Sequence, residues 1–473
     1  MNKFRKRFDD LGRALRKFDF SILSIVLVVA FVAIYSIDLS DYNRQDRIIA
    51  SDVIHYYAYL PASVIYKDLS MDFVYENLSK FSSVFWPISL PNGKHAIMVT
   101  MGMSILYAPA FFITHAIVIL TGGNASGFSD PYRLGLVIGG WVYLLLALLM
   151  LRKVLLRYFS KSATALALLM AVVGTNLFHY EAHESTMSHA YSFFLFSAFL
   201  LMTVKWHEKP TIKNAFIIGL LSGLIALVRP SNIVVGLFFI FWNTYSWKTI
   251  QSKIAFFFNK YQSILVVLFA ALLVWIPQFL YWKIYTGSWF FMGYGSDQGF
   301  FFSNPQIFNN LFSYRKGWLV YTPIMLLAFT GLMLLWKKRP GMVFPIIIYS
   351  IINIYIVSSW WSWWYGGGFG MRAYVETYAI YSLGFAAFAE WAFSKGKLFL
   401  KLPAIALILV LVGFSYFQTR QYRWNAIHFV GMTKEAYWHQ FLVLKPYGDY
   451  YKKLTIPDME KARKGIYVFE PAE

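Results

Sequence analysis

Residues 18–37 read FDFSILSIVLVVAFVAIYSI, an apolar stretch with one charged residue, Asp19. A helix of about 20 such residues spans the hydrocarbon core of a bilayer. Similar blocks recur along the 473-residue chain, in which 58% of residues are hydrophobic and 14% are charged. Soluble domains carry about 25% charged residues. The composition therefore predicts a polytopic membrane protein and excludes a soluble enzyme, while the 20% aromatic content excludes a disordered chain.

The apolar blocks predict an all-α fold of about 11 transmembrane helices. The predicted spans are 18–37, 133–151, 163–178, 188–204, 214–228, 233–247, 262–281, 318–336, 342–358, 375–393 and 402–419. Basic residues crowd the segment 3–17, which predicts a cytoplasmic N-terminus. The net charge of +20 arises mostly in short loops, where it orients a membrane protein, and no motif predicts a nucleic-acid partner.

One further apolar stretch, 96–120, contains Pro109. If this stretch crossed the membrane, the later basic loops would face outward, against the usual bias. We therefore expect it not to cross the membrane but to form two interface helices that break at Pro109, or a re-entrant hairpin, within a large first outer loop at 38–132. The same topology puts the loops 179–187, 283–317 and 360–374 outside. It divides the chain into a transmembrane domain, 1–419, and an extracytoplasmic tail, 420–473.

The first candidate site is SDVIHYYAYLP at 51–61, soon after the first span. In a helix, Asp52, Tyr56 and Tyr59 would share a face. A carboxylate can accept a proton from a hydroxyl, and the rings of Tyr56 and Tyr57 can pack on a sugar. The alternative is an aromatic belt at the membrane interface, with Asp52 as a helix cap or a solvated charge.

The second candidate site is HYEAHESTMSH at 179–189, a short loop close to the membrane surface. Its candidate residues are Glu181, His183, Glu184 and His189. Ionisable groups near the apolar region are candidates for function. A metal site is an alternative, but the zinc motif beginning at His183 would need a histidine where Met187 stands. Simple helix capping with solvated acids is the remaining alternative, and we predict no metal ligands.

The third candidate site is WWSWWYGGGFGMR at 360–372, in which Trp361 and Trp364 are candidates for sugar binding. The glycines permit close approach and unusual backbone angles. Arg372 suits a lipid phosphate, because a guanidinium binds phosphate through two parallel hydrogen bonds. Arg315 and Lys316 are basic where basic residues are scarce, and they suggest the same anion. Tryptophan belts and lipid-headgroup anchoring are the structural alternatives.

The arrangement over residues 18–420 resembles the GT-C superfamily of membrane glycosyltransferases, which includes protein mannosyltransferases and the aminoarabinose transferases of lipid A. The resemblance implies that Asp52 is the catalytic base or acceptor-binding carboxylate, and that Glu184 or Glu181 is a second acid. It also implies interface helices in the first loop. The chain departs from the paired acids of many members, since Ser51 and Val53 flank Asp52 and the nearest other acid is Asp46.

These observations together predict an inverting glycosyltransferase at the outer face of a bacterial plasma membrane. The donor would be a polyprenyl-phosphate sugar, and the acceptor a lipid, a glycan or a protein. No cofactor is predicted, although a divalent cation stays open. Two alternatives remain: a transporter or flippase of a lipid-linked saccharide, and an enzyme similar to an O-antigen ligase or polymerase.

Overall fold

The computed structural model describes residues 19–39, 43, 47–76, 85–295, 297–393 and 398–472. The chain is mostly helical, as the apolar blocks predict, with short antiparallel strand pairs outside the helices. The basic segment 3–17 and Asp46, both used in the sequence analysis, lie outside the described residues.

The first half of the chain supplies a long helix, a set of short loop elements and then a helical bundle. In chain order the helices are α1 Phe20–Leu39, α2 Asp52–Tyr57, α3 Tyr59–Pro61, α4 Asp72–Glu76, α5 Gly102–Leu120, α6 Asp130–Leu155, α7 Lys161–Val172, α8 Leu177–Ala182, α9 Ser188–Glu208 and α10 Ile212–Val228. A π-helical turn, Ala62–Tyr66, follows α3, and the strands β1 Ile88–Ser89 and β2 His95–Ala96 pair in the first loop.

The second half continues the bundle and ends in a small tail. Its helices are α11 Gly236–Phe241, α12 Trp247–Asn259, α13 Tyr261–Thr286, α14 Ile307–Phe312, α15 Trp318–Tyr321, α16 Met325–Trp336, α17 Pro340–Ser358, α18 Tyr378–Ala392, α19 Leu398–Arg423, α20 Lys434–His439 and α21 Met459–Ala462. Turns of 3-10 helix cover Pro230–Val235, Arg372–Thr377 and Tyr450–Lys453, and the strands β3 Thr455–Pro457 and β4 Phe469–Pro471 pair in the tail.

Within the described residues, 6 helices are long and apolar enough to cross a membrane. They are α1, α5, α6, α13, α17 and most of α19. Shorter apolar helices, including α7, α10 and α16, lie among them. The protein is therefore a multi-pass membrane protein, whereas the count of eleven spans and the side on which each loop lies stay predictions.

The expected break at Pro109 is wrong, because α5 runs continuously from Gly102 to Leu120. Proline removes one backbone donor from a helix, and neighbouring helices commonly compensate for such a loss within membranes. The hydroxyl of Tyr143, on α6, donates to the carbonyl of Leu106, three residues before the proline. The continuous α5 has the length and composition of a membrane span.

Two helices, α9 and α18, are buried over almost their whole surface. A helix that is apolar on every side belongs in the interior of a bundle. Both begin at candidate sites: α9 starts directly after the 179–187 loop, and α18 follows the turn that contains Arg372. The bundle core therefore fixes two of the predicted loop sites at the ends of its most rigid elements.

Helices α16 and α18 cross at a pair of glycines, Gly331 and Gly384. A Cβ atom at Gly331 would overlap the carbonyl oxygen of Gly384, and one at Gly384 would overlap the carbonyl of Ala328. Small residues allow this kind of close backbone approach between helices in membranes. The position of α18, and of the site at its start, depends on this crossing.

We expect Gly331→Ala to lower the midpoint of thermal unfolding in detergent, because α16 must move away from α18. The control is Gly413→Ala on α19, where a Cβ would meet nothing within 4 Å. That substitution should be neutral or stabilising by up to about 1 kcal/mol, since alanine favours helix over glycine. Equal midpoints for the two variants would contradict the crossing.

Candidate active site

Segments that are far apart in sequence converge beyond the end of α1. Nη1 of Arg372 lies 3.3 Å from Oδ2 of Asp52, although the two residues are 320 positions apart. The side chain of Asp52 is 45% exposed and that of Arg372 is 20% exposed. We call this ion pair and the groups around it the Asp52–Arg372 site. The structure thus brings together residues of the first and third candidate stretches.

The start of α2 holds Asp52 in place. Ser51 precedes it in the left-handed backbone region, with φ at 51°, an uncommon conformation for a residue other than glycine. The rest of α2 is buried, and the backbone carbonyl of Tyr56 accepts a hydrogen bond from Ser104 on α5. As predicted for a helix, Tyr56 lies one turn from Asp52, and the two groups interact electrostatically.

The glycine run forms the loop that presents Arg372. Its backbone turns through left-handed conformations at Tyr365, Gly366 and Gly370. A Cβ at Gly368 would reach 3.0 Å from the hydroxyl of Tyr180, so this position also needs a residue without a side chain. The sequence analysis anticipated this use of the glycines.

Buried polar side chains hold this loop through hydrogen bonds to its backbone. The hydroxyl of Tyr180 lies 3.0 Å from the backbone nitrogen and 3.1 Å from the carbonyl oxygen of Phe369. Asn176 donates to the same carbonyl, and the ammonium of Lys316 donates to the carbonyls of Gly368 and Phe429. These hydrogen bonds hold the backbone of the loop in one geometry, and they thereby position Arg372.

Arg372 remains fully charged in this setting. Burial alone would lower its pKa, but the negative charge of Asp52, with Tyr180, Tyr56 and Glu184 around it, raises the pKa above its ordinary value. A charged group in a partly water-excluded position acts more strongly on a nearby charge than it would in water. The guanidinium is therefore suited to hold an anion.

A second arginine, Arg229, lies beside this pair at the end of α10. Its Nη1 is 3.2 Å from Oε1 of Glu376, and Asn232 donates to the same oxygen over 3.0 Å. His189 Nδ1 lies 3.3 Å from the other oxygen of Glu376. The guanidinium of Arg229 also lies over the ring of Tyr365, 6.0 Å from its centroid.

The side chain of Glu376 is 1% exposed, whereas that of Arg229 is 19% exposed. The carboxylate is thus the buried anchor, and the arginine extends from it toward the open site. A buried carboxylate needs such partners, because an unpaired charge in the interior is costly.

Glu184 is the partly open acid of the second stretch. Its Oε1 lies 3.4 Å from Nε2 of His179, and its side chain is 33% exposed. Burial acts to raise its pKa, but the hydrogen bond from His179 and the charge of Arg372 lower the pKa below its usual value. Glu184 is therefore ionised at neutral pH and close enough to Arg372 to act on it.

Glu181 and His183, predicted to bind acceptor or sugar, point into the interior. Glu181 is fully buried, and neither of its carboxylate oxygens has a hydrogen-bond partner among the described residues. Burial raises the pKa of this carboxyl well above its usual range. His183 stacks on His179 and contacts Tyr35 edge-on.

Several other predicted residues serve the core instead of the open site. Tyr57 is fully buried and donates to the carbonyl of Gly127. Trp361 and Trp364 are buried under the tail, and the ring of Trp364 packs against Phe469. All three side chains are buried, and the binding of sugars at these positions stays a prediction.

The two cations predicted to hold phosphate are engaged by backbone carbonyls. Arg315 donates to the carbonyls of Val430 and Thr455 and stacks on Phe469, 4.1 Å from its ring centroid. Burial, followed by the charges of Arg372 and Arg315, lowers the pKa of Lys316 to about 7. Both side chains tie the tail and the glycine loop to the bundle, and their binding of a donor phosphate stays a prediction.

Sequence reasoning missed Glu376 and His179 as site residues. Tyr294 also belongs to the site, since it interacts electrostatically with Asp52, Arg229 and Arg372. Glu376 stands four residues after Arg372 in the predicted span 375–393, which holds one other acid, Glu390. An acid within a predicted span is itself a signal of function. Applied there, the rule would have found this residue.

Within the part of the chain that the structure describes, no group of three or more His, Cys, Asp or Glu residues is placed to hold a metal ion. The acids of the site are already matched with positive or hydrogen-bonding groups: Asp52 with Arg372, Glu184 with His179, and Glu376 with Arg229. A cation beside Asp52 would face the guanidinium, so these donors do not fit a metal.

A search of protein-family models found no match to the chain, and neither did a search of curated proteins. Solved structures with a similar fold were found. An archaeal oligosaccharyltransferase, AglB from Archaeoglobus fulgidus in complex with an inhibitory peptide and a dolichol-phosphate, is 14% identical with a TM-score of 0.45. The apo form of the Archaeoglobus fulgidus oligosaccharyltransferase is 15% identical with a TM-score of 0.47.

ArnT from Cupriavidus metallidurans, in the apo state, is 14% identical with a TM-score of 0.45. The matches cover 90% of this chain for both oligosaccharyltransferase structures and 85% for ArnT. The chain spans 60% of the length of the oligosaccharyltransferase and 69% of ArnT.

We expect Glu376→Ala to destabilise the protein by roughly 3–5 kcal/mol, because it leaves Arg229 partly buried without its counter-charge. The control is Glu460→Ala on the exposed surface of α21 in the tail, for which a change within about 0.5 kcal/mol is expected. Thermal unfolding of the purified proteins in detergent measures both. An equal, small effect for the two variants would contradict the anchoring role of Glu376.

Proposed function

We propose that the protein is a glycosyltransferase. It moves a sugar from a polyprenyl-phosphate-linked donor to a hydroxyl or amine acceptor at the outer face of the membrane. In this proposal Asp52 is the general base, Arg372 binds the donor phosphate and Arg229 assists it. The resemblance of the sequence to the GT-C superfamily and the geometry of the Asp52–Arg372 site support it independently.

The observation that carries the proposal is the ion pair between Asp52 and Arg372. It joins a carboxylate and a guanidinium at 3.3 Å, and the carboxylate is 45% exposed. Two charges held together at a partly open position supply the base and the anion site that transfer from a lipid phosphate requires.

Donor binding would reorganise this pair. The phosphate competes with Asp52 for Arg372, because guanidinium binds either anion through paired hydrogen bonds. Once the phosphate occupies Arg372, the carboxylate of Asp52 is released beside the sugar. The base would thus become free only when the donor is in place.

The chemistry then follows in one displacement. Asp52 accepts the proton of the acceptor hydroxyl or amine, and the acceptor atom attacks the anomeric carbon of the sugar. The bond between that carbon and the phosphate oxygen breaks on the opposite side, which inverts the configuration. Arg372 and Arg229 stabilise the charge that develops on the leaving phosphate, and preorganised charge of this kind is commonly a large part of catalysis.

The acceptor would lie between Asp52 and Glu184. Both acids are partly open to solvent, and Tyr56 and Tyr294 flank the position through their interactions with Asp52. Carboxylates and tyrosine hydroxyls bind sugar hydroxyls well. Glu184 is therefore assigned to acceptor positioning, and it is the second choice for the base.

We expect Asp52→Asn to lower sugar transfer by at least about 100-fold, because the amide cannot accept a proton. Membranes that contain the protein are incubated with radiolabelled polyprenyl-phosphate sugars, and label in the acceptor fraction is counted. The matched control is Asp72→Asn, an exposed acid of the same predicted loop, which should transfer at the wild-type rate.

Transfer that survives Asp52→Asn would remove Asp52 as the base, and a loss in Glu184→Gln would then identify Glu184. Label that stays on the donor but crosses sealed vesicles would contradict the transferase and support a flippase. If Asp72→Asn loses acceptor labelling to the same extent as Asp52→Asn, the assay reports folding of the loop.

Arg372→Met is expected to lower kcat by roughly 100- to 1,000-fold, the range found when one group that stabilises a developing negative charge is removed. Arg372→Lys should keep part of this activity, because lysine retains the charge but loses the paired hydrogen bonds. The control is Arg157→Met, which breaks the ion pair to Glu208 elsewhere in the molecule. A wild-type kcat in Arg372→Met would contradict the role of Arg372.

A further inference from the structure

The C-terminal tail carries an apolar surface on the side that adjoins α19. Trp438, Phe441 and Leu442 leave 53%, 39% and 59% of their surfaces exposed. A soluble tail would be expected to cover such a group or to replace it with polar residues. We name these three residues the tail patch.

The tail patch is continuous with the outward face of a membrane-spanning helix. Leu407, Val410 and Phe414 follow one another on one side of α19, at spacings of three and four residues. Leu407 and Val410 are 44% and 66% exposed, as expected for a surface that contacts lipid. The ring of Phe441 then packs on Phe414, at 6.1 Å between centroids, and Trp438 packs on Phe441 at 4.9 Å.

The depth of this contact places Phe441 at the level of the span. Phe414 lies six residues before Arg420, so it is about 9 Å further along the helix axis at 1.5 Å per residue. Arg420 and Arg423 occupy the last turn of α19, and Trp424 follows them. Basic residues and tryptophan at a helix end mark the headgroup region of a bilayer. Phe441 therefore lies below that level, beside apolar side chains.

Hydrogen bonds hold the tail patch firmly against α19. Gln421 donates to the carbonyls of Gln440 and Val443, at 2.8 Å in each case, and Gln418 donates to the hydroxyl of Tyr437 over 3.3 Å. The patch is thus part of a fixed surface. Its exposure does not come from a loosely packed chain end.

The backbone of Leu442 has a conformation that is uncommon for leucine. Its φ is +58°, in the left-handed region where glycine is the ordinary residue at the end of a helix. A leucine there is strained and exposes most of its side chain to the outside. Strain of this kind is kept where the side chain serves a function.

Positive charge borders the tail patch on the side away from the span. The ammonium of Lys445 lies over the ring of Trp424, 4.7 Å from its centroid, and Arg420 and Arg423 are exposed nearby in sequence. Such cations are complementary to lipid phosphates and attract anionic headgroups. At the start of α20, Glu435 pairs with Lys453 at 2.7 Å.

From these observations we infer that the tail is a membrane-inserted element. The tail patch enters the interfacial layer of the bilayer beside α19, with phospholipid as its partner and Lys445, Arg420 and Arg423 against the phosphates. This arrangement fixes the height of the tail over the bilayer. Because Arg315 and Lys316 bond the carbonyls of the tail, it also ties the lipid surface to the glycine loop. The inference does not depend on the proposed transferase activity.

The absence of cysteine from the sequence makes a direct test simple, since one introduced cysteine is the only labelling site. Leu442→Cys and Glu435→Cys are each labelled with a polarity-sensitive fluorophore and reconstituted in vesicles of phosphatidylethanolamine and phosphatidylglycerol. Some of the vesicles carry a spin label high on the acyl chains. We expect the label to lose fluorescence at position 442 and to keep it at position 435.

Equal fluorescence at both positions, with or without spin-labelled lipid, would overturn the inference. Quenching at neither position, together with protection of position 442 only when a second protein copurifies, would assign the patch to a protein partner instead. If Leu442→Cys fails to fold, Phe441→Cys takes its place in the same experiment.

A second measurement needs no label. Leu442→Gly should raise the midpoint of thermal unfolding in detergent, because it relieves the strain at positive φ without removing a packing contact of the core. In the vesicles, the rise in the unfolding midpoint of the same variant should be smaller than in detergent. A lower midpoint in detergent would show that Leu442 packs against the protein, and would overturn the lipid assignment.

Discussion

The ion pair between Asp52 and Arg372 joins the two charges that the proposed chemistry uses. Each residue lies on an irregular segment, one after a strained Ser51 and the other after a run of glycines. Neither segment would hold its charge in place alone, because loops without packing are mobile. The bundle supplies the rigidity: α9 and α18 begin at the site and are buried along their length.

Charged residues that appear at first to belong to the chemistry do much of this positioning. The ammonium of Lys316 donates to the carbonyls of Gly368 and Phe429, which fixes the loop in front of Arg372. Glu376 holds Arg229 in the same way from the interior. Buried charge is costly unless it is fully bonded, so these residues are constrained in geometry. The open charges, Asp52, Glu184 and Arg372, keep the freedom to meet a ligand.

Much of this arrangement is predictable from the sequence, because apolar block length and short polar loops have few structural solutions in a membrane. The stretches around Asp52, Glu184 and Arg372 stand out by composition alone, and the structure brings them together. The sequence does not show which groups a side chain contacts in the folded protein. Arg315 resembles a free cation until its carbonyl partners are known, and Trp364 resembles an interface residue until the tail covers it. The expected break at Pro109 is wrong, because α5 continues through the proline. Tyr143 bonds the nearby carbonyl of Leu106.

Binding of a sugar-free polyprenyl phosphate to the wild type and to Asp52→Asn, in detergent or nanodiscs, tests the central claim most directly. In our account the phosphate displaces Asp52 from Arg372. The account therefore predicts that the wild type binds the lipid and that Asp52→Asn binds it at least as tightly, because the competing carboxylate has lost its charge. Weaker binding by Asp52→Asn would contradict the account, since it would mean that Asp52 maintains the phosphate site and does not compete for it.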